Sequence, residues 1–356
     1  MYMTSTLAET PVPAPISLPE PVEAALARLY AGNSLDEAEA ENLFSALVDG
    51  RLAEPAIAAM LIALRLKGET TAELTGAARA LRGADEPFER PDYLFADTCG
   101  TGGDGSGSIN VSTAAAFVCA AAGLPIAKHG NRSVTSRCGS ADVLEELGAK
   151  LDVSAAVSRR ALDQSGFCFL LAPAYHPGLR HAGPVRRALK VRTIMNILGP
   201  CVNPAEPKIQ LLGVADPRLI EPVARTLAAL GAERALVVHG AGLDEIALHG
   251  ETQAILLKDG AFERLTLTPE SAGLARMPVE MLKGGSPTEN AARFDALLRG
   301  RAPAAEAQVV ALNAGALLKT AGFAETFAEG TDIALQTIAS GAARKRLEAF
   351  VEATHA

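Results

Sequence analysis

Tryptophan is absent from this sequence, and all aromatic residues together make up only 4% of its 356 positions. That leaves little material for the stacking platforms on which single-stranded nucleic acids are held. Positive charge is also in deficit. The 33 Lys and Arg face 41 Asp and Glu, and the net charge of −8 works against nonspecific binding to nucleic acid or to an anionic membrane. No apolar run approaches the roughly 20 residues that span a bilayer. The opening MYMTSTLAETPVPAPISLPEP lacks the basic start and apolar stretch of a secretory signal. Cysteines are few, odd in number and never spaced C-x-x-C: Cys99, Cys119, Cys138, Cys168 and Cys201. Neither a zinc site nor a disulfide framework is favoured by that pattern, so reduced thiols in or near the core are expected. The expectation is a cytoplasmic protein with no nucleic-acid or membrane partner.

What is present is a hydrophobic fraction of 49% in a chain long enough for two domains. Residues 1–19 are Pro- and Thr-rich without periodicity, and are expected to form a disordered tail. From Val22 to Gly83 the pattern is helical. Ser34-Leu-Asp-Glu37 reads as a capping box opening a helix that runs to Leu47, and Ala56–Leu66 and Thr70–Leu81 read as two more helices. Such short helices leave a spare apolar face, for which a dimer contact is expected.

After the acidic linker Asp85–Pro91 the rhythm changes. Apolar runs at Tyr93–Asp97, Pro125–Lys128, Phe167–Ala172, Ile209–Val214 and Arg234–His239 alternate with helical stretches at Ser140–Leu147, Val153–Gln164 and Pro217–Leu230. That alternation predicts a mostly parallel sheet covered on both faces. Glu245–Leu248, Thr252–Leu257 and Phe262–Leu267 read as short strands with a tight turn at Lys258-Asp-Gly260, an antiparallel extension. Pro184–Leu198 reads as one long cationic helical stretch, and Thr288–Ala353 as helical. The fold class is therefore α/β: a small N-terminal helical domain over residues 20–90, then a larger α/β domain over 91–356 with a central, mostly parallel sheet.

Two polar loops stand out against this frame. The first, Gly100–Ser112, carries Gly100, Gly102, Gly103, Gly105 and Gly107 and opens onto the Ala-rich helix expected from Thr113 to Ala122. Glycines let backbone N–H groups turn toward a ligand, and the helix start adds unpaired donors and a positive dipole end, which together describe a phosphate cradle. The second follows the apolar run Leu124–Ala127 and brings Lys128, His129, Asn131 and Arg132 to the end of the next strand. Ligands of open α/β sheets sit outside the carboxyl ends of the strands, so both loops should face one crevice. Between Lys128 and Arg192 eleven Lys/Arg meet five Asp/Glu, a local excess that suits a small anionic substrate. Gly100, Gly102 and Gly105 formally match G-x-G-x-x-G, which leaves a dinucleotide-binding oxidoreductase as the last-ranked alternative. The helix starts too late for it, no acid ends the second strand, and no Gly-Lys-Ser/Thr closes a Walker loop. Asp244-Glu245 is the sequence's candidate for a hard cation such as Mg²⁺, although an Asp-Glu pair on its own is more often a solvated loop charge.

These residues carry a resemblance. Asp97-Thr-Cys-Gly-Thr-Gly-Gly-Asp104, Asn110-Val-Ser-Thr113, Lys128-His-Gly-Asn-Arg-Ser133 and Gly139-Ser-Ala-Asp142 are similar to the signature motifs of the anthranilate phosphoribosyltransferases, from about residue 20 nearly to the C-terminus. The Lys-His-Gly-Asn-Arg-Ser block separates the chain from pyrimidine nucleoside phosphorylases, which share the fold. A non-catalytic, nucleic-acid-binding relative should be basic with eroded motifs, unlike this chain. The resemblance implies phosphoribosyl transfer from phosphoribosyl pyrophosphate to the amine of anthranilate, in tryptophan biosynthesis. It assigns phosphoribosyl pyrophosphate to Gly100, Thr101, Gly102, Gly103, Asp104, Asn110, Ser112, Thr113, Lys128 and Ser140. Anthranilate falls to Gly100, His129, Asn131, Pro173, His176 and Arg186, and Mg²⁺ to Ser112, Asp244 and Glu245. His129, Asn131 and Arg186 are the catalytic candidates, with Arg186 gripping the carboxylate and His129 either a base or a positioning group. It further implies that the segment at about 184–200 returns to the helical domain and that the helical domain makes a homodimer. Ile109 stands where an aromatic is frequent in the family, and the N-terminal tail is long.

Overall fold

The protein is described by a computed structural model that covers residues 18–133 and 137–356. Except for Leu18 and Pro19, the tail expected over residues 1–19 lies outside the described residues. Four helices come first: Glu20–Tyr30 (α1), Glu37–Val48 (α2), Glu54–Lys67 (α3) and Thr71–Gly83 (α4). The capping box of α2 is two residues later than the sequence suggested. Asp36, not Ser34, accepts from the Glu39 N–H at 2.8 Å while the Glu39 carboxylate accepts from the Asp36 N–H at 2.9 Å. Asp-x-x-Glu meets the same chemical need as Ser-x-x-Glu, and the carbonyl of Ser34 is held instead by Arg28.

The sheet is built from Ala96–Gly100 (β1), Ile126–Gly130 (β2), Phe167–Leu171 (β3), Ile209–Gly213 (β4), Arg234–Gly240 (β5), Thr252–Lys258 (β6) and Ala261–Leu267 (β7). Its order is β3-β2-β1-β4-β5-β6-β7, parallel from β3 to β5 and antiparallel beyond. Between and around the strands lie Val111–Ala121 (α5), Ser140–Glu146 (α6), Ala155–Ser165 (α7), Ala172–Tyr175 (α8), Gly183–Leu189 (α9), Ile194–Leu198 (α10) and Ile220–Ala229 (α11). The C-terminal helices are Pro287–Leu298 (α12), Ala304–Ala321 (α13), Phe327–Ala339 (α14) and Ala342–His355 (α15).

Alternation along the strands divides the core in two. On β4 and β5, Leu211, Leu236 and Val238 face a cluster with α5 and the C-terminal helices, while Leu212, Ala235 and Val237 face a second cluster with α11 and the four N-terminal helices. The sheet is thus covered on both faces, the signature of parallel strands. The β6–β7 hairpin turns at Asp259 and Gly260, both at positive φ (51° and 78°), as a two-residue primed turn requires.

Two sequence expectations are corrected here. β1 is three residues later than Tyr93–Asp97: Tyr93 and Leu94 are exposed, and the ladder instead takes in the polar Asp97 and Thr98. Asp97 is tolerated in a buried strand because the side chains of Asn203 and Gln210 donate to its carboxylate at 2.9 and 3.4 Å. Pro184–Leu198 is not one helix but two, α9 and α10, parted at Lys190 with φ 52°. The Asn196 side chain accepts from the Thr193 N–H at 3.1 Å, restarting the helix at Ile194.

Candidate active site

The carboxyl ends of β1, β4 and β5 are all glycine: Gly100, Gly213 and Gly240. The segment Leu243–Ala247 runs across them so closely that a Cβ on Gly100 would overlap the Asp244 carboxylate, and one on Gly213 or Gly240 would overlap the backbone of Asp244 or Glu245. This crossing segment is not the strand expected at Glu245–Leu248. Its polar backbone is satisfied by side chains: Asn313 accepts from the Ile246 N–H (2.9 Å) and donates to the Ile246 carbonyl (3.1 Å), and Thr252 accepts from the Ala247 N–H (3.0 Å). Apolar Ile246–Leu248 therefore reads as a strand in the sequence yet has no ladder to join.

The crossing delivers two carboxylates to the phosphate cradle. Asp244 Oδ2 accepts from the Gly102 N–H at 2.6 Å, and Glu245 Oε1 accepts from the Ser112 N–H at 3.2 Å. Helix α5 begins at Val111, two residues earlier than expected, which puts Ser112 and Thr113 in its first turn, where N–H groups have no partner within the helix. Lys128, buried at the end of β2, donates from Nζ to the Thr98 carbonyl and to Ser112 Oγ, the latter at 3.3 Å. Burial, with Asp104 nearby, raises the Asp244 carboxyl to about 7. Burial, then the Asp244 charge, raises that of Glu245 to about 8, with Lys128 acting the other way. Among the described residues neither carboxylate has an ion-pair partner. Nor do three His, Cys, Asp or Glu side chains form a ready-made metal cage there. Mg²⁺ fits such a donor set, since it uses one or two carboxylates and fills its remaining positions with water and substrate oxygens, and its charge would offset the burial, and then the mutual repulsion, that raise these groups.

The glycine-rich loop is held on both limbs. Arg192 donates to the Gly103 carbonyl at 2.7 Å and to Thr101 Oγ1 at 3.4 Å, while Asp104 accepts from Ser106 N and Oγ, both at 3.0 Å. On the far limb Gly284 N–H donates to the Gly107 carbonyl at 2.7 Å, and the buried Asn290 donates to Asn110 Oδ1 at 3.0 Å.

The second loop closes on the start of α6. Asp142 accepts from the N–H groups of Ser133 (2.9 Å) and Gly139 (2.7 Å), and Ser140 Oγ donates to the Asn131 carbonyl at 3.2 Å. The Asn131 side chain is exposed, and Arg132 is paired with Glu145. His129 is buried, with Nδ1 at 3.0 Å from the Gly199 carbonyl and Nε2 at 3.0 Å from Nε2 of His176. Both ring nitrogens are therefore engaged. Burial, then His176, holds the His129 imidazole well below its ordinary value. His176 also meets Asp85 through Nδ1.

The structure thus brings together Gly102 with Asp244, Ser112 with Glu245 and Lys128, Ser140 with Asn131, and His129 with His176. Among the described residues the side chain of Arg186, half-buried on α9 and with its pKa lowered by desolvation, has no hydrogen-bond or ion-pair partner, and Pro173 is exposed at the start of α8. Sequence reasoning missed Asp85, Asn203, Gln210 and Asn290, and counted Arg192 only among the cations of a locally basic stretch. Each acts across a long sequence separation, and no local pattern marks it.

The chain matches the model of the glycosyl transferase family helical bundle domain over residues 23–84 and that of the family's a/b domain over residues 92–344. It is 58% identical over 330 residues to the anthranilate phosphoribosyltransferase of Sorangium cellulosum, covering 93% of this chain and 95% of that one. Its structure is similar to the crystal structure of anthranilate phosphoribosyltransferase from Thermus thermophilus, with a TM-score of 0.89 at 43% identity, over 93% of this chain and 99% of that one. It is also similar to the Saccharomyces cerevisiae enzyme in complex with phosphoribosyl pyrophosphate and Mg, with a TM-score of 0.85 at 25% identity, over 94% and 98% of the two chains. With 95% of the Sorangium relative's length matched at 58% identity, and the glycine-rich loop facing two carboxylates, the chain belongs to the anthranilate phosphoribosyltransferase family.

Proposed function

We propose that the crevice at the ends of β1, β2, β4 and β5 transfers the phosphoribosyl group of phosphoribosyl pyrophosphate to the amine of anthranilate, releasing pyrophosphate, as a step of tryptophan biosynthesis. The observation that carries this reading is the convergence of backbone donors at Gly102 and Ser112 with the carboxylates of Asp244 and Glu245. Pyrophosphate needs both the donors and a cation, and here one small region supplies the first and a site for the second.

Gly100, Thr101, Gly102, Gly103, Asp104, Asn110, Ser112, Thr113, Lys128 and Ser140 hold phosphoribosyl pyrophosphate. Ser112, Asp244 and Glu245 hold Mg²⁺, which when bound offsets the charge of the pyrophosphate leaving group. As the bond from ribose C1 to pyrophosphate oxygen breaks, its electron pair leaves with pyrophosphate, and the anthranilate nitrogen lone pair forms the new bond at C1. The donors aimed at the leaving oxygens stabilise charge where it develops, the largest contribution most active sites make. Arg186 grips the anthranilate carboxylate, its planar fork suiting that geometry and its side chain having no protein partner among the described residues. Gly100, Asn131, Pro173, His129 and His176 complete the acceptor side. With both ring nitrogens of His129 engaged, its contribution is positional. The arylammonium formed at nitrogen is acidic enough to shed its proton without a strong base.

Kinetics separate these roles. Arg186→Ala should raise the KM for anthranilate roughly tenfold or more while moving that for phosphoribosyl pyrophosphate little, the scale of a lost charge-assisted hydrogen-bond pair. Asp244→Asn should instead raise the Mg²⁺ concentration needed for half-maximal rate. Unchanged anthranilate saturation in Arg186→Ala removes Arg186 from the acceptor site.

We take residues 20–90, with the returning segment at about 184–200, as one domain and residues 91–356 as the other. The helical domain pairs two copies of the chain. Support comes from α1 and α3, which leave Tyr30 and Leu66 exposed at 53% and 80%. Sedimentation showing only monomer at micromolar concentration would rule that out. Five free, buried cysteines support a cytoplasmic location, which cell fractionation checks, and among the described residues no helix is long and apolar enough to cross a membrane.

A further inference from the structure

Asp85 lies just beyond α4, in the linker between the helical region and β1. Its side chain is 8% exposed and meets His176 Nδ1; His176 Nε2 meets His129 Nε2 at 3.0 Å; and His129 Nδ1 meets the Gly199 carbonyl at 3.0 Å. One row of hydrogen bonds therefore ties the linker to the loop after β3, the end of β2 and the end of α10. A backbone bond from the Glu86 N–H to the Tyr175 carbonyl, 2.8 Å long, fixes the linker beside that loop.

The chemistry of the partners sets the direction of every bond in the row. A carbonyl only accepts, so His129 carries its hydrogen on Nδ1. Burial keeps His129 neutral, so its Nε2 is a lone pair and must accept from His176 Nε2–H. His176 Nδ1 then either accepts from a protonated Asp85 or, as an imidazolium, donates to an ionised one. Either way the Asp85–His176 pair must hold one proton beyond the imidazole's own. Remove it, and His176 turns its hydrogen toward Asp85, leaving the two imidazoles facing each other lone pair to lone pair.

We propose that Asp85 is a positioning residue for the acceptor site: it fixes the tautomer of His176, whose Nε2–H holds the orientation of His129. The proposal rests on the reading of this crevice as the anthranilate site. Burial raises the Asp85 carboxyl to about 8, with Arg82 opposing and Glu206 reinforcing the shift. Arg82 also bears on both histidines, and Lys128 on His129. The extra proton is thus present through neutral pH and is lost as pH climbs past about 8. Asparagine at position 85 offers an N–H donor that cannot be titrated away.

The test reads tautomer and kinetics together. Nitrogen NMR of histidine-labelled protein, with His176 assigned by the signal lost in His176→Gln, should show His176 as the Nε2–H tautomer in wild type and Asp85→Asn at pH 7, and its turn to Nδ1–H above pH 8 in wild type alone. Asp85→Ala should raise the KM for anthranilate about tenfold, the equilibrium factor of an orphaned buried hydrogen bond, with that for phosphoribosyl pyrophosphate little changed. Wild type should show the anthranilate KM rising above pH 8, and Asp85→Asn should abolish that rise. The proposal is overturned if His176 in wild type stays Nε2–H above pH 8, or if Asp85→Asn switches as wild type does. A tautomer that follows Asp85 in a protein that does not turn over anthranilate would uphold the positioning role and sink the acceptor assignment.

Discussion

Charge in this site is arranged by burial. Asp85, Asp244 and Glu245 all have carboxyls raised chiefly by desolvation, to about 8, 7 and 8, where an exposed acid would be ionised far lower. For Asp85 this has a consequence for stability. Its carboxyl rises from an ordinary 3.8 to about 8, so between those values the folded chain keeps a proton that the unfolded chain has lost. Its contribution is fully present below pH 4 or so and is lost progressively as pH rises toward 8, after which it is flat. Urea midpoints of wild type should therefore fall relative to those of Asp85→Asn between pH 5 and 8. Parallel pH profiles for the two proteins would contradict the raised carboxyl.

At the scale of elements, the site depends on strand ends that leave space. Gly213 closes β4 where the Asp244 backbone passes, so Gly213→Ala forces the crossing segment outward. The expected result is a loss of about 1–3 kcal/mol in urea unfolding, typical of overpacking, together with a raised Mg²⁺ requirement. A normal Mg²⁺ titration in that variant would mean the crossing does not set the carboxylates. The same elements show what the sequence made legible. The parallel core strands, the hairpin at Asp259-Gly260 and the glycine-rich loop were readable, because short apolar runs, turn chemistry and loop composition are local signals. The start of β1 was misplaced because Asp97 looks unfit for a core, and its partners Asn203 and Gln210 are more than a hundred residues away. Ile246–Leu248 read as a strand because a short apolar run is visible in sequence, whereas the bonds to Asn313 and Thr252 that replace a ladder are not. The Ser112, Lys128, Asp244 and Glu245 grouping was legible only through family resemblance, and Asp85 not at all, since a linker acid carries no pattern of its own.

At the scale of the molecule, the sheet gathers at one edge groups that the chain scatters from Asp85 to Glu245. β1 and β2 present a donor loop and a cationic loop side by side, and β4 and β5 carry the carboxylate crossing beside them. Arg192, between α9 and α10, donates directly to the glycine-rich loop, so that segment and the loop are mechanically joined. An overall charge of −8 works against nonspecific binding of anions, and on the proposed reading the backbone donors and Lys128 of this crevice are what overcome it. The central claim is that this crevice performs Mg²⁺-dependent phosphoribosyl transfer to anthranilate. The most direct measurement is the loss of anthranilate fluorescence on mixing the purified protein with anthranilate, phosphoribosyl pyrophosphate and Mg²⁺, with and without a chelator. The account predicts turnover that stops when the chelator is added. Fluorescence that stays constant, in protein that still binds phosphoribosyl pyrophosphate, would contradict the acceptor, and turnover that survives the chelator would contradict the metal site at Asp244 and Glu245.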